Sequence, residues 1–152
     1  MPRPPEYNYR MTIERAIVLA MFIPVVLALA ESVSIQSITL TLQRLHAPVF
    51  TRRRFLSALA TDVATAFLLG AVCGGVAGIV AWTWKGSGLI AAAIGGVIWI
   101  SMITACALGI VLPTALRALR RDPKVAAGPI VLATADLATL LFYFNLSGIL
   151  LR

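Results

Sequence analysis

Apolar residues fall in four long runs separated by short polar, basic or glycine-containing breaks. That pattern predicts four helices, over about residues 13–45, 55–84, 89–119 and 125–150. Each run exceeds the roughly 20 apolar residues that carry a helix across the hydrocarbon core of a bilayer, and each is too long for a barrel strand. The fold class expected is all-α: an integral membrane bundle of four transmembrane helices forming one domain, residues 13–152. Ahead of it, residues 1–12 (MPRPPEYNYRMT) read as a polar arm, extended or disordered.

Polar positions inside the runs carry the rest of the information. The first helix is apolar from Ala16 to Ala30, with Pro24 suggesting a kink, and then changes character: Glu31, Ser32, Ser34, Gln36, Ser37, Thr39, Thr41 and Gln43 follow. Ser32, Gln36, Thr39 and Gln43 recur three and four apart and so share one face. Such a face either hydrogen-bonds to other helices, at about 0.6 kcal/mol per contact, or lines water. The second helix carries Asp62 near its start, placed either to pair with the Arg52-Arg53-Arg54 cluster or to meet incoming ions. Beyond it, Ala66, Gly70, Gly74 and Gly78 form a small-residue ladder suited to close helix packing. Trp82 and Trp84 anchor its far end at the interface, before the turn Lys85-Gly86-Ser87-Gly88. The third helix has no charge before Arg117; Gly109 marks close packing and Pro113 a bend, and Ser101 and Thr104 are its mid-membrane hydroxyls. The fourth carries Asp136 near its middle. A charge at that depth costs at least about 2.5–3.5 kcal/mol on insertion scales and is kept where it meets a bundle interior, a polar cavity or a partner charge. Asp136 therefore reads as part of an ion or proton pathway, the bland alternative being a protonated group bonded to a neighbouring helix.

Composition agrees: 60% of residues are hydrophobic and 12% charged, against about 25% charged in a soluble domain. The net charge of +7 sits in short clusters beside the apolar runs, as expected for orientation and lipid headgroup contact rather than nucleic-acid binding. Arg44, Arg52, Arg53, Arg54, Arg117, Arg120, Arg121 and Lys124 lie on one side; Arg3, Arg10, Arg15, Lys85 and Arg152 lie on the other. The positive-inside rule makes the basic loops 44–54 and 117–124 cytoplasmic. Both termini then lie outside, which asks for a further helix upstream of this chain. Cys73 and Cys106 stand apart from any C-x-x-C pair and read as packing residues. His46 lies alone in a loop. With no Ser-His-Asp or Cys-His set, an enzyme is not expected. The N-terminus does not read as a signal peptide.

Several stretches together carry a family resemblance. Phe22-Ile23-Pro24 and Gln36-Ser37 are similar to the second membrane helix of the MgtE family of magnesium channels and transporters. Ala105, Gly109 and Pro113, then Asp122-Pro123, Val125-Ala126, Gly128-Pro129, Thr134-Ala135-Asp136 and Leu140 to Phe144, resemble its last two helices. The resemblance covers four of the family's five membrane helices, leaving out its first helix and its cytoplasmic regulatory domains, which include paired CBS modules. It implies a homodimer with the pore on the twofold axis, in the cell membrane, which for a bacterial cell is the inner membrane. Asp136 from each subunit would meet a hydrated Mg²⁺, or Mn²⁺ or another divalent cation, with Asp122 at the cytoplasmic mouth. Glu31, Ser32, Gln36, Thr39, Leu132, Ala133, Thr134 and Ser101 would line the path, and backbone carbonyls near Gly128 to Leu132 would be available if the helix is irregular there. Mg²⁺ sheds water reluctantly and suits one or two carboxylates plus retained waters. Two facing Asp136 side chains would repel unless a proton or a cation lies between them. One departure stands out: where the family has a Gly-Gly-Asn run and a further Gly-Asn, this chain reads Ala30-Glu31-Ser32-Val33-Ser34-Ile35-Gln36. That leaves two expectations: a rebuilt pore with Glu31 as an extra carboxylate, or a non-conducting structural or regulatory membrane partner.

Overall fold

The computed structural model describes residues 5–45, 52–119 and 123–150. The loops between 45 and 52 and between 119 and 123, including His46 and Asp122, lie outside the described residues. Four helices follow in order: α1 (Pro5–Leu45), α2 (Arg52–Lys85), α3 (Gly88–Ala118) and α4 (Pro123–Leu150). All four contain a segment long and apolar enough to cross a membrane: Ala20–Leu45, Leu56–Trp84, Gly88–Ala118 and Gly128–Leu146.

The helical backbone of α1 begins at Pro5, so it extends into the stretch that the sequence suggested was an arm. A proline suits the first helical position, where its missing N–H is unpaired in any case and its φ is already helical. At the opposite end of α2, Gly86 takes φ +64° and its N–H bonds the carbonyl of Trp82 at 2.7 Å. This left-handed residue closes the helix as glycine does best. Ser87, extended at φ −106°, then opens α3, with its carbonyl accepting from Ala91 N at 3.2 Å.

α3 is the hub. It packs against each of the other helices, whereas α1 and α2 scarcely touch. Ile94, Ile98 and Met102 are fully buried on it, joined in one cluster by Phe22 and Val26 of α1 and Tyr143 of α4. Half of its span is buried against the other helices and the rest shows apolar side chains such as Ile100 and Val111 outward, so neither face suits a charge, and α3 carries none before Arg117.

The α2–α3 contact is built from the ladder. Climbing α2 by four residues at a time descends α3 by four: Gly70 faces Trp99, Gly74 faces Gly95, and Gly78 faces Ala91. A Cβ on Gly74 would lie 2.5 Å from the Gly95 carbonyl oxygen, and one on Gly95 2.7 Å from that of Gly74. Only glycine lets the two backbones meet there. Above the ladder the Trp99 ring stands edge-on to Phe67, centroids 4.8 Å apart, and its Nε1–H bonds the Phe67 carbonyl at 3.1 Å. The rest of α2 shows large apolar side chains outward, Leu68, Val72, Val76 and Ile79 among them, as a lipid-facing helix does.

Candidate ion path

The second half of α1 is polar on two sides, and packing sorts them. Ser34, Ser37 and Thr41, again three and four apart, point inward and are buried. Ser34 and Ser37 meet α3 at Gly109, where an added Cβ would lie 2.6 Å from Ser37 Cβ and 3.0 Å from the Ser34 carbonyl oxygen. The Ser34 hydroxyl bonds back to the Glu31 carbonyl at 2.9 Å; the Thr41 hydroxyl is buried without a partner. On the opposite side Ser32, Gln36 and Thr39 are exposed, as is Glu31 at the edge of the packed face, and Thr39 satisfies its own hydroxyl on the Ile35 carbonyl at 2.8 Å. The polar face seen in the sequence is therefore the outer face of this chain. A second hydroxyl stripe, legible at the same spacing, is the one that packs.

α4 buries a narrow stripe of Val131, Ala135, Thr139 and Tyr143. Its junction with α1 and α3 is a cluster of three small residues, Ala30, Ala105 and Ala135, each at most 1% exposed. Alanines bring the helices close, and the closeness fixes depth. Glu31 follows Ala30 and Asp136 follows Ala135, so both carboxylates belong to this one level of the bundle, within a residue's rise of about 1.5 Å along each helix. Asp136 is half-buried and Glu31 exposed. Neither carboxylate hydrogen-bonds or pairs with another described residue. Around them, Leu132 and Thr134 are half-buried and Ala133 is exposed. Thr134 spends its hydroxyl on the carbonyls of Ile130, at 2.7 Å, and Val131, at 3.0 Å.

Some expected members stand elsewhere. Ser101 is buried inside α3 at 1% exposure, its hydroxyl unpartnered, rather than on the face with Glu31 and Gln36. α4 is helical from 123 to 150 without an irregular stretch at Gly128 to Leu132, because a membrane helix passes a proline at the loss of a single bond. Gly70, Gly74 and Gly78 serve the α2–α3 seam, away from the carboxylates, and Gly109 the α1–α3 crossing. Asp62 is held by Arg44 of α1; the side chains of Arg52 and Arg54, at the start of its own helix, lie outside the described residues. Among the described residues no group of three or more His, Cys, Asp or Glu side chains could hold a metal ion.

Comparison with known proteins gives a consistent picture. A family model described as a divalent cation transporter, MgtE, matches residues 23–146. The magnesium transporter MgtE of Bacillus subtilis (strain 168) is 24% identical over 135 residues, 89% of this chain and 30% of that protein. The magnesium transporter MgtE of Enterococcus faecalis (strain ATCC 700802 / V583) is 28% identical over 145 residues, 95% of this chain and 32% of that protein. The chain thus spans about a third of the length of the curated relatives it matches.

Proposed function

The chain belongs to the MgtE family of divalent cation transporters, and from that premise we propose that it forms the membrane part of a Mg²⁺ transport path that two copies complete. The observation that carries this reading is the pair Glu31 and Asp136: two carboxylates at one membrane level, unpartnered among the described residues, beside a polar face turned out of the chain. An intramembrane carboxylate without a counter-charge is expensive. A polar stripe facing lipid gains nothing to offset its desolvation. A second copy applied to the α1–α4 side relieves both. It covers Ser32, Gln36 and Thr39 and sets Asp136 against its counterpart, where a hydrated divalent cation neutralises the pair.

In this arrangement Mg²⁺ is cargo. It keeps most of its waters, which the Gln36 amide, Ser32 hydroxyl and Glu31 carboxylate contact, while Asp136 supplies the charge. Thr134 keeps its hydroxyl on the carbonyls of its own preceding turn, and the family resemblance assigns the cytoplasmic mouth to Asp122, which lies outside the described residues. The basic ends at Arg44 and Arg117 face the cytoplasm. A membrane potential drives a cation inward by about 2.3 kcal/mol per charge per 100 mV, so passage needs no chemistry.

Glu31 also supports a second reading. A long carboxylate where the family carries glycine suits a chain that has given up conduction and serves as a structural or regulatory partner. Growth of a magnesium-transport-deficient bacterium separates the two. Rescue by the chain and not by Asp136→Ala, at equal membrane expression, supports transport; failure of both supports the partner reading.

A further inference from the structure

The polar stripe of α1 ends at a charged fastening. Arg44, in the last turn, grips Asp62 of α2 with both guanidinium nitrogens: Nη1 bonds Oδ2, and Nη2 lies 3.0 Å from Oδ1. One residue on, the Leu45 carbonyl accepts from Nη1 of Arg117 at the end of α3. Asp62 is the more enclosed partner, its side chain 11% exposed against 28% for Arg44. Its own backbone carbonyl lies 3.7 Å from Cys106 Sγ, which ties that turn of α2 to α3. Since α1 and α2 scarcely touch otherwise, this ion pair is not a by-product of helix packing. It is a planar, two-point grip between a fixed carboxylate and a fork of donors.

We propose that Asp62 is a positioning residue for the ion path, acting through Arg44: it draws the guanidinium onto α2 and cancels its charge. The inference rests on the transport reading above. Gln43, the last residue of the exposed stripe, immediately precedes Arg44. A loose guanidinium at that point would lie within the Debye length of about 8–10 Å from the end of the stripe. Its repulsion acts twice over on a divalent cation, lowering the local concentration where ions arrive or leave. Held against Asp62, the same side chain presents a neutral pair.

The test measures initial Mg²⁺ uptake into liposomes that contain the full chain and a Mg²⁺-sensitive dye, at low and high potassium chloride. Asp62→Asn is expected to raise the half-saturating Mg²⁺ concentration about three- to ten-fold at low salt, with the maximal rate kept and the difference shrinking at high salt. Adding Arg44→Gln to it is expected to restore the wild-type half-saturation. Asp62→Glu, which keeps the charge, is expected to behave as wild type. Should Asp62→Asn fail to assemble, Arg44→Gln against wild type decides: removing the cation and leaving the carboxylate must not weaken apparent affinity. A double variant as poor as Asp62→Asn, or a defect confined to the maximal rate or to thermal stability, overturns the proposal and leaves a simple tether. No uptake by the wild type overturns the transport reading itself, a result distinct from any pattern among variants of a conducting chain.

Discussion

The α2–α3 seam and the α1–α4 face are both helix contacts built on small residues, yet they are opposite kinds of surface. At the seam, Gly70, Gly74 and Gly78 meet Trp99, Gly95 and Ala91 with the backbones near touching. The Trp99 N–H in this seam is satisfied by the Phe67 carbonyl. That surface is finished within one chain. At the α1–α4 face, Ala30 and Ala135 bring the helices together only to leave Glu31 and Asp136 beside the contact without partners among the described residues. The first contact holds the fold together. The second, which a fold alone would not need, is where function is to be sought.

Substitutions at the seam should do the most damage, and locally. Gly74→Val places a branched side chain against the Gly95 carbonyl, which cannot retreat as a flexible side chain can. Overpacking costs about 1–3 kcal/mol and more where backbone must move, so the variant should lose most of its folded material in detergent. Gly75→Val next to it, with nothing within 4 Å of its Cβ position, should melt near wild type. Equal melting of the two would mean that the seam is looser than described.

At the α1–α4 face the order reverses, with activity falling and stability holding. Asp136→Asn should abolish Mg²⁺-dependent growth rescue while the thermal midpoint without Mg²⁺ stays level or rises, since an unpaired intramembrane charge is removed. The same variant should lose stabilisation by Mg²⁺, which for a bound ligand reaches about 2.7 kcal/mol at a hundred times its dissociation constant. A midpoint that drops sharply instead would make Asp136 a packing group and erase the contrast between the two surfaces. Glu31→Gln should act in the same direction but less, weakening apparent Mg²⁺ affinity without abolishing uptake, because the exposed Glu31 keeps more of its hydration than half-buried Asp136. An unchanged affinity would remove Glu31 from the path. Smallest of all, Thr41→Val exchanges an unpartnered buried hydroxyl for a methyl of like shape. It should leave stability unchanged or raise it by about 1 kcal/mol in a thermal melt, since a buried polar group without a partner is a cost. A clear loss would reveal a hidden partner, such as a bridging water.

The four runs, their order and nearly all their bounds were legible in the sequence, because crossing hydrocarbon demands long helices and leaves little freedom in composition. The ladder at Gly70, Gly74 and Gly78 was legible for a similar reason, since repeated small residues at helical spacing have few uses other than close approach. Asp136 stood out because its cost is intrinsic and needs no neighbour to be seen. Three things escaped. The pairing of Asp62 with Arg44 of α1 depends on where α1 ends relative to α2. Ser101 turned inward. In α1, whose second half is polar nearly all round, spacing alone showed two stripes, and nothing in it said that Ser34, Ser37 and Thr41 would be the ones to pack.

Sequence by itself thus determined that this is a multi-pass helical membrane protein with a carboxylate in a place where carboxylates are costly, because hydrophobic transfer is a property of each residue and sums along the chain. Tertiary structure alone decided which face of α1 looks outward, that Glu31 and Asp136 share a level, and that Arg44 is neutralised by Asp62. Those depend on the clustering of Ala30, Ala105 and Ala135 and on the close approach of Gly109 to Ser37, contacts between residues far apart in the chain, whose geometry is a property of pairs and is written at neither position alone.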